Sequence, residues 1–168
     1  DYRSRKILKR FKVTPVSPAM ILTVQVVIYT IYSVASLVLL YIVSTLFFGF
    51  HLLGSLPAFL GGYILVMLSI FSIGMMVGGI SPNSQTASVI ASLLYFPMLI
   101  FSGATLPYEV MPSALQKIAD ILPLTQGIKI LKAASLGLPI ENIFVPLIVM
   151  AVLAAICIGV SFRFFRWE

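Results

Sequence analysis

The sequence predicts an all-α, polytopic membrane protein: a helical bundle of about four transmembrane helices with an outer re-entrant or amphipathic helix pair. Of its 168 residues, 60% are hydrophobic and only 10% are charged, whereas soluble domains carry roughly 25% charged residues. Three stretches comfortably meet the ~20 apolar residues needed to cross ~30 Å of hydrocarbon, and a shorter fourth comes close. Between the third and the last of these lies a proline-rich, amphipathic segment. The reading divides the chain into a cytoplasmic basic segment, residues 1–19, and a transmembrane domain, residues 20–168.

The basic segment holds Arg3, Arg5, Lys6, Lys9, Arg10 and Lys12, six of the eleven Lys and Arg residues in a chain of net charge +6. It runs directly into a long apolar stretch, so anionic lipid head groups are its nearer partner and nucleic acid is not expected. The apolar run is much longer than the ~7 to 15 residues of a signal-peptide core, so it is read as a retained span. Ile7, Leu8 and Phe11 form a small apolar stripe among the cations. Such a stripe serves either a head-group anchor or a docking helix for a cytosolic partner. The chain opens at Asp1 rather than Met, on a charged segment, which suggests part of a longer polypeptide.

The first span covers residues 20–48 without a charge and exceeds a perpendicular crossing, so it should tilt or project from the bilayer. Gly49 to Ser55 form a short loop with the single histidine, His51. The second span covers 57–80 and is broken by the turn formers Ser81, Pro82, Asn83 and Ser84. The third covers 85–102; Pro97 removes a backbone donor there and should kink it near Phe96, as a hinge or a static bend.

Residues 103–141 are too rich in proline and polar residues for a simple span, with Pro107, Pro112, Pro123 and Pro139, yet too apolar for a solvated loop. Ser113 followed by Gln116 fits a capping box, and Leu115, Ile118, Ala119 and Leu122 share a helical face. A second short helix, 124–136, is stopped by Gly137 and carries Ile128, Leu131 and Ala134 beside Lys129 and Lys132. This pair reads as interfacial or re-entrant, which requires protein or water to cover its backbone. The last span, 142–165, is closed by Arg163 and Arg166 with Phe164, Phe165 and Trp167. Eight of the eleven basic residues flank the two ends, placing both in the cytoplasm and the helix pair outside.

No catalytic residue and no metal site is expected. From Met20 to Thr105 the titratable candidates are His51 and tyrosines, whereas ion-coupled transport generally needs carboxylates or histidines within the membrane. The lone Cys157 forms no intrachain disulfide, and His51 alone makes no transition-metal site. No G-x-x-x-x-G-K-[ST] phosphate loop occurs, so no cofactor is expected and any ATP would be hydrolysed on another polypeptide. Gly74 and Gly78 form a G-x-x-x-G pair suited to helix packing, or to a dimerisation or sliding surface. Phe96, Phe101 and Met111 are candidates for a greasy exit path, or are packing residues.

Three stretches carry a further signal: Leu8-Lys9-Arg10-Phe11-Lys12-Val13-Thr14-Pro15-Val16-Ser17-Pro18; Phe101-Ser102-Gly103-Ala104-Thr105-Leu106-Pro107 with Met111-Pro112; and Ile121-Leu122-Pro123-Leu124-Thr125. In this order and spacing the chain resembles the permease subunits of type-2 ABC exporters. The resemblance implies six spans, a cytosolic coupling helix between the second and third, and an outer re-entrant pair between the fifth and sixth. The spans here resemble the third to sixth, so the chain is expected to lack the family's first two. It implies ATPase coupling through Ile7, Leu8 and Phe11, a separate nucleotide-binding ATPase subunit, and a homo- or heterodimer of permease domains. The expected setting is the bacterial inner membrane, and the expected cargo an amphiphilic or hydrophobic molecule, drug-like or lipid. A non-transporting membrane scaffold or assembly protein, and a secondary transporter, are the alternatives.

Overall fold

The computed structural model describes residues 18–139 and 143–164. Six α-helices follow in order among these residues: α1 (Pro18–Phe48), α2 (Leu56–Ile80), α3 (Ser84–Phe101), α4 (Ser113–Ile121), α5 (Pro123–Leu136) and α6 (Phe144–Phe164), with a 3-10 turn at Tyr108–Val110 between α3 and α4. No strand occurs among the described residues. Four helices are long and apolar enough to cross a membrane: Thr23–Phe48 of α1, α2, α3, and Phe144–Ser161 of α6. With 9 and 14 residues, α4 and α5 are too short to cross.

The starts and stops follow local chemistry. Pro57 sits in the first turn of α2, where its missing N–H costs nothing. The Asn83 side chain caps α3 by accepting from the Thr86 N–H at 2.7 Å. Gly137 ends α5 in the left-handed region with φ 70°. One expectation is corrected. Pro112 takes the N-cap position of α4, so Ser113 is already helical and the Ser113–Gln116 capping box does not form.

Within the bundle α2 is central: it packs most extensively on α6 and next on α5, while α1 touches it sparsely. The α2–α6 seam joins Ser69, Ser72 and Val77 to Met150, Ala154, Cys157 and Ser161, all buried. Ser69 Oγ donates to the Leu65 carbonyl at 2.7 Å and the Met150 carbonyl at 3.0 Å, tying the two helices in a region where no water competes.

Glycines decide the α2–α5 contact. A Cβ on Gly62 would lie 2.9 Å from Ile130 Cγ2, and one on Gly127 2.7 Å from Val66 Cγ1. Each helix thus seats a branched side chain on the other's glycine, and the core cluster of Val66, Ile130 and Met150 forms there. Gly74 and Gly78, by contrast, are exposed and face open space. Among the described residues the close helix contacts are made by Gly62 and Gly127.

Large apolar side chains cover the outside of α1, α3 and α6, among them Ile31, Leu39, Leu93, Val145 and Ile156. A surface this apolar needs lipid or protein around it.

Candidate functional site

The segment between α3 and α6 is built by closing helix ends. Ser102 Oγ donates to the Leu99 carbonyl at 3.0 Å, and Thr105 Oγ1 donates to the carbonyls of Leu99 (3.0 Å) and Ile100 (3.2 Å). These hydroxyls satisfy carbonyls that the end of α3 would leave orphaned. Gly103, at φ 86°, then reverses the chain where a side chain would be strained. The Gln116 amide donates back to the carbonyls of Tyr108 and Met111 at 3.1 Å each, fixing the 3-10 turn against α4. Leu122 closes α4 and opens α5 in one extended residue, as the following Pro123 requires.

Asp120 lies at the centre. The Tyr108 hydroxyl donates to both of its carboxylate oxygens, at 2.9 and 3.0 Å, and Lys129 Nζ donates to Oδ1 at 2.6 Å. Lys129 also stands 4.6 Å from the centre of the Tyr108 ring, a cation–π distance. The Gln126 amide donates to the Asp120 backbone carbonyl. One carboxylate thus joins the turn before α4, α4 itself and α5.

Burial works to raise the Asp120 pKa. The hydrogen bonds from Lys129 and Tyr108, with the Lys129 charge, outweigh it and hold the carboxyl below its ordinary 3.8. Tyr108 moves above its ordinary 10.0, through burial first and then the bond to Asp120, with Lys129 opposing. A lowered carboxyl pKa stabilises above the unfolded value and loses that contribution as pH falls through the folded one. Because Asp120 and Lys129 are partly exposed, the ion pair is worth no more than about 1 kcal/mol. Hydrogen-exchange protection of α4 and α5 should therefore be level between neutral pH and about pH 5, then drop below the ordinary carboxyl range. Asp120→Asn should lower protection already at neutral pH and remove the acid step. An unaltered acid step in that variant would assign it to another group.

A second attachment holds the far end of α5. The N–H groups of Leu53 and Gly54 both donate to the Ser135 carbonyl at 3.0 Å. Gly54 is required for this approach, since a Cβ there would overlap the Ala134 carbonyl oxygen.

Ile7, Leu8 and Phe11 lie outside the described residues, as do Arg166 and Trp167. Phe96 is exposed and borders an open groove of about 580 Å³ along α3, with Gln85, Ser88, Ser92, Leu93 and Pro97. Phe101 is half-buried at the end of α3, and its carbonyl accepts from Thr125 Oγ1 at 3.4 Å. Met111 is buried under the start of α4. The helix continues through Pro97. Among the described residues no cluster of His, Cys, Asp or Glu has the makings of a metal site.

Pattern reading missed the Tyr108–Asp120–Lys129 constellation. Its members stand 12 and 9 residues from one another, off any helical repeat, and only the turn at Pro123 brings them together. The available signal was a lone carboxylate in a short helix of an otherwise nearly acid-free chain.

Four membrane-length helices and an apolar exterior around a small core define a multi-pass helical membrane protein. A family model described as "ABC-2 type transporter" matches residues 2–136, and the chain belongs to that family. It is 37% identical over 76 residues to Nodulation protein J of Rhizobium leguminosarum bv. viciae, covering 45% of this chain and 29% of that protein. It is 32% identical over 98 residues to Nodulation protein J of Neorhizobium galegae, covering 58% of this chain and 35% of the relative. With the inner membrane transport permease YhhJ of Escherichia coli (strain K12) it shares 30% identity over 80 residues, 48% of this chain and 21% of that protein. These matches span about a third or less of each relative's length. No solved structure matches.

Proposed function

We propose that this chain belongs to the permease subunit of an ATP-driven ABC exporter, which moves an amphiphilic or hydrophobic molecule across a bacterial inner membrane. The observation that carries the reading is the extent of the family match. It takes in the basic segment, three of the four crossing helices and the outer helix pair. The printed name of the Escherichia coli relative, an inner membrane transport permease, agrees with it. The energy source would be a separate nucleotide-binding subunit docked on Ile7, Leu8 and Phe11, with permease domains pairing as a homo- or heterodimer. Both chain ends would face the cytoplasm. The Gly74–Gly78 face of α2, open among the described residues, would meet such a second permease domain.

Purification of the full-length protein from its native membrane tests this reading. An ABC ATPase should accompany it at a fixed stoichiometry, and the ATPase should be lost when residues 1–12 are replaced by a neutral linker. Stable recovery of the full-length protein without any ATPase would favour the scaffold alternative.

A further inference from the structure

We propose that Asp120 and Tyr108 form a seat for the ammonium headgroup of an amphiphile, occupied within the chain by Lys129 as a displaceable stand-in. The seat joins the two features that hold an organic cation. One is charge: the Asp120 carboxylate receives Lys129 Nζ on Oδ1 at 2.6 Å. The other is an aromatic face: the same Nζ stands 4.6 Å from the centre of the Tyr108 ring, inside the ~6 Å over which a ring attracts a cation. Both contacts are made by the ammonium and not by the lysine stem. Another ammonium brought to this point meets the same two partners.

The seat is held together without the lysine. The Tyr108 hydroxyl donates to both carboxylate oxygens of Asp120, at 2.9 and 3.0 Å, which fixes carboxylate and ring relative to each other. The Gln116 amide ties the Tyr108 and Met111 carbonyls to α4, and the Gln126 amide ties the Asp120 carbonyl to α5. None of these bonds passes through Lys129. Its ammonium ends a flexible aliphatic stem, and the side chain is 36% exposed, so it can leave by rotation of the stem with the backbone in place. A partly exposed ion pair shifts an equilibrium by less than about tenfold. A ligand that brings one further contact can therefore displace it.

The donor set selects the class of cation. A hard metal ion such as calcium takes about six to eight oxygen ligands, whereas Asp120 offers one carboxylate and, among the described residues, belongs to no cluster of His, Cys, Asp or Glu. A carboxylate beside an aromatic face suits an ammonium, alkylated or not. The surroundings add the apolar half of the ligand. Leu106 and Val110 flank Tyr108 in the chain and Ile121 follows Asp120, all three with exposed side chains. A cation carrying an apolar body has these to lie against, and a bare ion does not use them. Ammonium binding needs neither ATP nor transport, so the seat goes beyond the permease reading and does not rest on it.

The test uses the full-length protein in phosphatidylglycerol vesicles, with a long-chain trimethylammonium as the probe. Lysines are acylated briefly and their modification is read by mass spectrometry. The probe should raise acylation of Lys129 by about fivefold, as release from a surface ion pair allows, and leave Lys117 unchanged. A long-chain alcohol should change neither. Phosphatidylcholine in the vesicles separates two sources of the same headgroup chemistry. Acylation of Lys129 that rises with this lipid alone assigns the seat to a lipid headgroup, and acylation that rises only with the dispersed probe assigns it to a separate amphiphile. A spin-labelled form of the probe then reports affinity by electron paramagnetic resonance. Lys129→Met, which vacates the seat, should tighten binding about tenfold, and Asp120→Asn should weaken it to the level of a spin-labelled alcohol. Unchanged Lys129 acylation with both probe and lipid overturns the seat, as does equal probe affinity in the unsubstituted protein, Lys129→Met and Asp120→Asn. Either result leaves the permease assignment standing, because neither measurement involves an ATPase.

Discussion

Replacing Gly127 by Val in the full-length protein is expected to destabilise the α2–α5 contact by about 3 kcal/mol or more. A Cβ at this position already comes within 2.7 Å of Val66 Cγ1 and 3.3 Å of Cγ2. Val66 cannot swing aside cheaply, because a β-branched side chain in a helix has essentially one rotamer. Val66 also belongs to the cluster with Ile130 and Met150, so the displacement spreads into α6. Gly127→Ala separates two opposing terms. Helix propensity favours alanine by about 1 kcal/mol, and overpacking of this kind costs about 1 to 3 kcal/mol, so the net sign should still be a loss. Denaturant titration in detergent micelles, followed by helical circular dichroism, measures both. Equal stability of Gly127→Val and the unsubstituted protein would show that α5 does not seat on α2 in this way. Gly74→Ala and Gly78→Ala supply the contrast. Their added methyls meet open space, so a loss of stability in the assembled protein, absent from the monomer, would locate a partner on that face.

On the function proposed above, Phe11→Asp, or Leu8→Asp, is expected to abolish stimulation of the proposed partner ATPase while leaving membrane insertion and the amount of protein in the membrane unchanged. Each substitution puts a carboxylate in the middle of the apolar stripe of Ile7, Leu8 and Phe11. Burying that charge against a docking partner without a counterpart costs several kcal/mol, and 1.4 kcal/mol is already tenfold in affinity. Insertion should be spared, since residues 20–48 carry no charge and six basic residues still precede them. Measured ATPase rates in reconstituted vesicles, with and without each substitution, decide the matter. Unchanged stimulation in both variants would reduce the segment to a head-group anchor.

Sequence and structure divide unevenly across these results. Helix number and position were legible because membrane crossing is a local property of composition and length, which a run of apolar residues such as 144–161 displays without reference to the rest of the chain. The two short helices between α3 and α6 were legible for a related reason. Their stops, Pro123 and Gly137, act on the backbone of their immediate neighbours. The bounds moved by a residue or two, as helix ends do, and the capping box failed because Pro112 occupied the cap that Ser113 was expected to fill.

Pairing between elements was not legible. Glycine reads the same in sequence whether it lies under Ile130, as Gly62 does, or faces open space, as Gly74 does; the difference is the neighbour, and the neighbour is set by how helices far apart in sequence cross. Asp120 likewise finds Tyr108 on one side and Lys129 on the other only after the chain has turned at Pro123. Composition and local backbone chemistry determined that this chain is a set of membrane-length helices with a short amphipathic pair before the last of them. Only the tertiary structure decided which glycines bear contacts and which carboxylate binds the two short helices together, because both depend on distances between residues that sequence spacing does not constrain.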